Sequence, residues 1–127
     1  MGQVAIVTGG SSGIGAAAAA YLAAHGCTVY EFSRHEKSGC ASVRHVTADA
    51  TDEASVAAAV QAVLAAEGRI DILLNNAGFG ISGAAEFTSV EEAQRQLEVN
   101  FWGMVRVTRA VLPVMRAQRG GRIVNTS

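Results

Sequence analysis

The chain has 127 residues, with ten Lys and Arg against eleven Asp and Glu for a formal charge of −1, and that length fits one domain. Half of the residues are hydrophobic, 17% are charged and 14 Gly stand beside a single Pro, which excludes a disordered or collagen-like chain; no basic surplus exists to bind nucleic acid or an anionic membrane. Two cysteines, Cys27 and Cys40, close at most one bridge, which suits a reducing compartment and makes the cytoplasm the expected location.

In chain order, residues 3 to 7 (QVAIV) form a short β-branched apolar run that ends at the Gly-rich stretch TGGSSGIG, residues 8 to 15. This reads as a buried strand feeding a turn, and the sequence carries neither a secretory leader nor a myristoylation signal ahead of it. Residues 16 to 24 are nearly all Ala, with Tyr21 and Leu22, and His25-Gly26 supplies a stop. A helix is expected there, and at less than half of the ~20 residues needed it does not span a membrane. Residues 28 to 33 (TVYEFS) and 43 to 47 (VRHVT) read as the second and third strands, each rich in β-formers and separated by a polar loop. Asp52 caps a further helix in which Val56, Ala59, Val60, Val63 and Leu64 share a face, and Gly68 stops it. Residues 71 to 75 (DILLN) are a fourth strand, followed by the loop NAGFGISG. Ser89 and Glu92 form a capping box for a long helix expected to reach about Gln118, with a kink at Pro113. Residues 122 to 126 (RIVNT) begin a fifth strand. Strands alternating with helices imply a doubly wound, parallel α/β sheet.

The strand, the Gly-rich turn and the Ala-rich helix form one device. Glycines allow close backbone approach to a pyrophosphate, and the free N–H groups and dipole of a helix start attract the anion. The spacing T-G-x-x-x-G-I-G matches neither the P-loop, whose Lys is replaced by Ala16, nor G-x-G-x-x-G. On spacing alone the stretch is either a phosphate site or a tight strand-to-helix turn without a ligand. The three histidines, His25, His35 and His45, share no helical i,i+4 pair and no C-x-x-C occurs, so no metal site is expected and the histidines read as surface residues. Phe101 and Trp102 read as packing in the core or at a helix-pair interface.

Three motifs together resemble the short-chain dehydrogenase/reductase family. Thr8, Gly9, Gly13, Ile14 and Gly15 match TGxxxGIG, residues 75 to 78 match NNAG, Asn100 in EVNFWG matches the helical Asn, and GGRIVNTS resembles the fifth strand. The resemblance covers the whole chain. It implies a Rossmann-type sheet of five strands in the order 3-2-1-4-5, ending after the fifth, so that residues 1 to 127 are a dinucleotide-binding domain incomplete at its C-terminal end. It also implies cofactor-binding roles for Gly9, Ser11, Ser12, Gly13, Ile14, Gly15, Asp49, Ala50, Asn76, Ala77 and Gly78. Within that set, Asp49 would accept a hydrogen bond from adenine, for which the residues alone leave open a solvated helix-capping residue ahead of Asp52. Asn75 reads as tying strands together.

The cofactor's 2′ position is read where the second strand ends, and there stand Ser33 and Arg34. A guanidinium grips a 2′-phosphate whereas an acid selects the free hydroxyl, so NADP(H) is favoured, with NAD(H) kept open by nearby Glu31. The resemblance further implies reduction of a small-molecule carbonyl, or oxidation of an alcohol, with Asn100 as the catalytic residue of the family's tetrad present here. The single Lys is Lys37, and neither Tyr21 nor Tyr30 begins a Tyr-x-x-x-Lys, so these residues alone are expected to be inactive. The alternative is a non-catalytic nucleotide-binding module, or a fragment that needs a complementary chain. Either way a homo-oligomer, or a partner supplying further strands, is the expected state.

Overall fold

A computed structural model describes residues 2–10, 13–34, 41–76 and 85–126. Strands β1 (Val4–Thr8), β2 (Thr28–Ser33), β3 (Val43–Thr47), β4 (Ile72–Asn75) and β5 (Arg122–Asn125) form one sheet in the order β3-β2-β1-β4-β5, every pair parallel. The expected doubly wound, Rossmann-type arrangement is therefore the observed one. Helices α1 (Gly13–Ala24), α2 (Glu53–Glu67), α3 (Val90–Leu97) and α4 (Gly103–Gln118) follow the strands, with a 3₁₀ turn at Ala85–Phe87 and a π turn at Glu98–Trp102.

The central strand β1 is buried at every position, as a parallel strand covered on both faces requires. Side chains alternate across it. Val4 and Ile6 join Tyr30, Phe32 and Leu73 under α2 and α4, where Val56, Val60, Val63, Val107 and Val111 complete the larger core. Ala5, Val7 and Val29 face Ala19 of α1 in a smaller cluster. Period-two alternation along the strands thus feeds two different helical layers. The small side chains of α1 suit its close seat on that face.

Local chemistry explains the ends of the elements. Asp52 Oδ1 accepts from the N–H groups of Ala54 (3.0 Å) and Ser55 (3.3 Å), and Gly68 closes α2 with a left-handed φ of 75° and an N–H bond to the Leu64 carbonyl at 2.8 Å. Ser89 caps α3 by accepting from Glu92 N–H at 3.1 Å. Helix α1 starts at Gly13 rather than Ala16, because the glycines of the turn are themselves its first residues. Gly15 is fixed by proximity: a Cβ there would lie 2.1 Å from the Gly9 carbonyl oxygen and 2.6 Å from Asn76 Nδ2.

The long helix expected between Val90 and Gln118 is helical throughout, in two α-helical arms, α3 and α4. Their junction is the wider π turn at Glu98–Trp102, and α4 continues through Pro113. Pro113 lies on an exposed face of α4, and the change of pitch falls where Gly103 packs on Ala50, a Cβ on Gly103 coming within 2.9 Å of the Ala50 Cβ. Phe101 and Trp102, within that turn, meet edge to face with centroids 4.9 Å apart and are 45% and 49% exposed, so they are not core residues. β5 ends at Asn125 and is an edge strand of the described sheet.

At the N-terminal rim of the sheet Asp71 ties three strands together. Its Oδ2 accepts from Val4 N–H (2.9 Å) and from Arg69 Nε (2.8 Å), its Oδ1 accepts from a second Arg69 nitrogen (2.7 Å), and its carbonyl accepts from Arg122 N–H at 2.8 Å. Gln118 docks the end of α4 nearby, its amide exchanging bonds of 2.9 and 2.8 Å with the backbone of Ile70. The bonds from Arg69, together with that from Val4, hold the Asp71 carboxyl below the ordinary carboxylate range, against a burial that raises it.

Two outcomes follow. Gly15→Ala is expected to destabilise the fold by more than about 2 kcal/mol in urea unfolding, since the nearest clashing atoms, the carbonyl of Gly9, are backbone and cannot rotate aside. Asp71→Asn is expected to cost about 1–3 kcal/mol at neutral pH. Because the folded carboxyl pKa is depressed, its contribution is present above the unfolded value of ~3.9 and is lost as pH falls through the folded value. Unfolding followed from pH 7 down to pH 2 should therefore show a shallower acid loss of stability in Asp71→Asn than in the parent chain.

Candidate functional site

A cavity of about 690 Å³ opens at the C-terminal ends of β1, β2 and β3, beside the position where the strand order reverses, which is where open α/β sheets bind ligands. Thr8 and Gly9 come to it from β1, Ser33 and Arg34 from the end of β2, and Asp49 and Ala50 from the segment after β3. Residues far apart in sequence are thereby gathered around one space. Gly13, Ile14 and Gly15 form the opening turn of α1 alongside, with Ile14 76% exposed and no acidic side chain in that turn. The start of α1 therefore keeps the positive end of its dipole uncompensated by its own residues. Ser11, Ser12, Ala77 and Gly78 lie outside the described residues.

Thr8 knits β1 to the chain leaving β4. Its hydroxyl accepts from Asn76 N–H at 2.9 Å and donates to the Leu74 carbonyl at 3.5 Å. The Gly9 N–H bonds to the Phe32 carbonyl at 2.9 Å, bringing the Gly-rich turn over the end of β2. Asn76 Oδ1 accepts from the Thr126 hydroxyl at 3.2 Å. Asn75 ties strands together as expected, its amide donating to Asn125 (2.9 Å) and to Thr108 of α4 (3.1 Å).

Asp49 is not a helix cap, a role taken by Asp52. Its Oδ1 accepts from the hydroxyl (2.7 Å) and the N–H (2.9 Å) of Thr51. These two bonds, with the nearby Arg34 and Arg106 cations assisting, hold its carboxyl below the usual range against a slight opposing burial. At neutral pH it is thus an ionised acceptor on the cavity wall. The Ala50 carbonyl accepts from Arg106 at 3.0 Å, and Arg106 also pairs with Glu98. Arg95, Glu98 and Val99 complete the far wall. Sequence reading missed them, since their signal is the change of pitch after α3, which helical periodicity does not reveal.

Asn100 lies apart from this cavity, in the π turn. It borders a small pocket of about 20 Å³ shared with Thr8, Asn75 and Thr126, a volume with room for about one water. Thr8 lines both spaces.

Glu31 does not line the cavity. It is 5% exposed, on the face of β2 that carries Val29, and its Oε1 pairs with His45 Nδ1 of β3. His45 is correspondingly sunk beside the strand, its side chain 12% exposed, which corrects its reading as a surface residue. His25 is exposed and stacks on Tyr21, and His35 lies outside the described residues. Among the described residues no group of three or more His, Cys, Asp or Glu is placed to hold a metal ion.

Comparison with known proteins agrees with this geometry. The family model described as short chain dehydrogenase matches residues 3–127. The 3-ketodihydrosphingosine reductase of Bacteroides thetaiotaomicron is 42% identical over 125 residues, 98% of this chain and 46% of that protein. Oxidoreductase UcpA of Escherichia coli is 38% identical over 135 residues, 99% of this chain and 51% of its own length. The ligand-free aldohexose dehydrogenase of Thermoplasma acidophilum superposes with a TM-score of 0.91 at 33% identity, over 97% of this chain and 48% of that one. A short-chain dehydrogenase/reductase structure from Burkholderia xenovorans gives 0.92 at 35% identity, over 98% and 56%. The chain spans about half the length of the relatives it matches. With the motifs, the sheet order and the family match in agreement, the chain belongs to the short-chain dehydrogenase/reductase family, oxidoreductases that use NAD(P)(H).

Proposed function

We propose that the chain is the nucleotide-binding half of an NADP(H)-dependent oxidoreductase that reduces a small carbonyl compound or oxidises the corresponding alcohol. The observation that carries the reading is the cavity lined by Ser33, Arg34 and Asp49, from which the nearest acid of β2, Glu31, is turned away and buried. A 2′-phosphate at the end of β2 would meet Arg34 and no carboxylate of that strand. The relatives include proteins named as a reductase and as a dehydrogenase, which supports the reaction class.

The residues present fit such a cofactor. Gly15 stands where any Cβ would close the approach between α1 and the Gly9 turn, and the positive end of the α1 dipole, with no acidic side chain in its first turn, suits a pyrophosphate. We assign Gly9, Ser11, Ser12, Gly13, Ile14 and Gly15 to that region, Ser33 and Arg34 to the 2′ position, Asp49 and Ala50 to adenine, and Asn76, Ala77 and Gly78 to the stretch toward the nicotinamide. When bound, the nicotinamide supplies or takes up hydride. Asp49, ionised, would accept from the adenine amino group. Asn100, beside a pocket with room for one water, would hold that water for proton movement.

A second reading, that the unit works only with further strands from a partner or a second copy, is favoured by β5. It is an edge strand among the described residues, and its Val124 is 50% exposed, an arrangement that recruits other strands. Light scattering after gel filtration should then show assemblies larger than one chain, and a concentration-independent monomer would remove this second reading.

Cofactor choice is tested by calorimetric titration. NADPH should bind at least several-fold tighter than NADH, and Arg34→Ala should weaken NADPH by roughly 10- to 100-fold, the scale of a charge-assisted contact of about 1.5–3 kcal/mol, while leaving NADH within a few-fold. Equal affinities for the two, or an Arg34→Ala variant with unchanged preference, would overturn the assignment of Arg34.

A further inference from the structure

Two carboxylates, Glu31 and Asp71, are buried among the described residues. Asp71 has both oxygens hydrogen-bonded, whereas Glu31 Oε2 has no partner among the described residues. A carboxylate taken out of water and incompletely bonded is strongly unfavourable, and the cavity geometry described above gives Glu31 no direct role. Its surroundings narrow the possibilities. On the same face β1 offers only Ala5 and Val7, and α1 carries no ionised side chain along its length. Gly10 lies directly over it, where a Cβ would come within 2.6 Å of the Glu31 Cβ. From β3 comes His45, while Arg44 turns to the opposite face to meet Tyr30 and Glu67. Beyond the strand stands Arg34; His35, Glu36 and Lys37 lie outside the described residues. His45 is thus the side chain that pairs with Glu31 across the strands among the described residues.

Glu31 nonetheless communicates with the cavity through the Ser33 side chain. The Ser33 hydroxyl, on the cavity wall, donates to Glu31 Oε1 at 3.3 Å and lies 3.4 Å from His45 Nδ1. The other imidazole nitrogen lies 2.8 Å from the Thr47 hydroxyl. A Ser33 hydroxyl that spends its proton on Glu31 directs lone pairs outward. Lone pairs accept from a ribose hydroxyl but repel a phosphate. A protonated His45 cancels the charge of Glu31 and removes that bias.

Resting on the reading that this cavity takes the adenosine end of the cofactor, we propose that the buried Glu31–His45 pair sets the discrimination between a free 2′-hydroxyl and a 2′-phosphate. Glu31 favours the hydroxyl by holding the Ser33 proton and by its charge. His45 favours the phosphate by neutralising that charge. Both are positioning residues, acting on the ligand through Ser33.

The test is the ratio of NADPH to NADH affinity, measured by calorimetry on the full chain and its variants at pH 6.5. Glu31→Gln should raise the ratio and His45→Gln should lower it, each by several-fold up to about tenfold, the scale of one charge acting over a few residues at an effective dielectric of about 20. The double variant should return close to the parent ratio. Ratios equal within twofold across all four proteins, with both nucleotides still bound, would overturn the proposal while leaving the cofactor reading intact. Failure of the parent chain to bind either nucleotide would overturn the cofactor reading and the proposal with it. A readout that needs no variant to fold is the imidazole ¹H–¹⁵N spectrum of the parent chain as a function of pH. By linkage, the protonation midpoint of His45 should move upward with saturating NADPH and lie lower with saturating NADH than with NADPH. A midpoint that NADPH leaves unmoved would overturn the proposal even if the variants prove unstable.

Discussion

The architecture depends on one close approach, between the first turn of α1 and the backbone that leaves β1. Gly15 sits so near the Gly9 carbonyl and the Asn76 amide that no side chain fits between them. That contact fixes where α1 starts, how it crosses the sheet, and where Asn76 sits relative to β1. Thr8 adds directionality, accepting from Asn76 and donating to Leu74. With the ends of β1 and β4 locked together, the ends of β2 and β3 can gather Ser33, Arg34 and Asp49 around the same opening. The shape of the cavity is therefore a consequence of backbone packing, and the charged side chains on its rim are carried by it.

Much of this was legible in the sequence because the signals are local. Short β-branched runs bounded by Gly marked the strands, and Asp52 and Gly68 marked both ends of α2 through cap chemistry. Parallel pairing followed from alternation with helices. The junction at Glu98–Trp102 was not legible, since periodicity reports an apolar face and is blind to a turn that widens by one residue. The apolar pattern through Phe101 and Trp102 read as core or a helix-pair interface, and with both rings about half exposed the core half of that reading falls. Pattern alone does not say what a helix packs against.

The candidate site was legible in part for a related reason. Glycines and caps announce themselves by residue type, so the turn at residues 8 to 15 and the position of Arg34 could be named from spacing. Arg95, Glu98 and Val99 reach the cavity only through the tertiary placement of α3, and no local signal marks them. Glu31 and His45 are opposed across neighbouring strands by parallel register. An acid on one strand and a histidine fourteen residues later on the next become partners only when that register is known, which is why His45 read as a surface residue.

The composition of α1 has an electrical consequence. From Gly13 to Ala24 the helix carries no Asp, Glu, Lys or Arg. Its axial field is made by aligned peptide groups alone, and peptide groups neither gain nor lose protons in water at any pH the fold survives. The attraction it exerts on an anion at its start is consequently frozen into the geometry, a constant background against which the ionisable groups at the ends of β2 and β3 are free to vary.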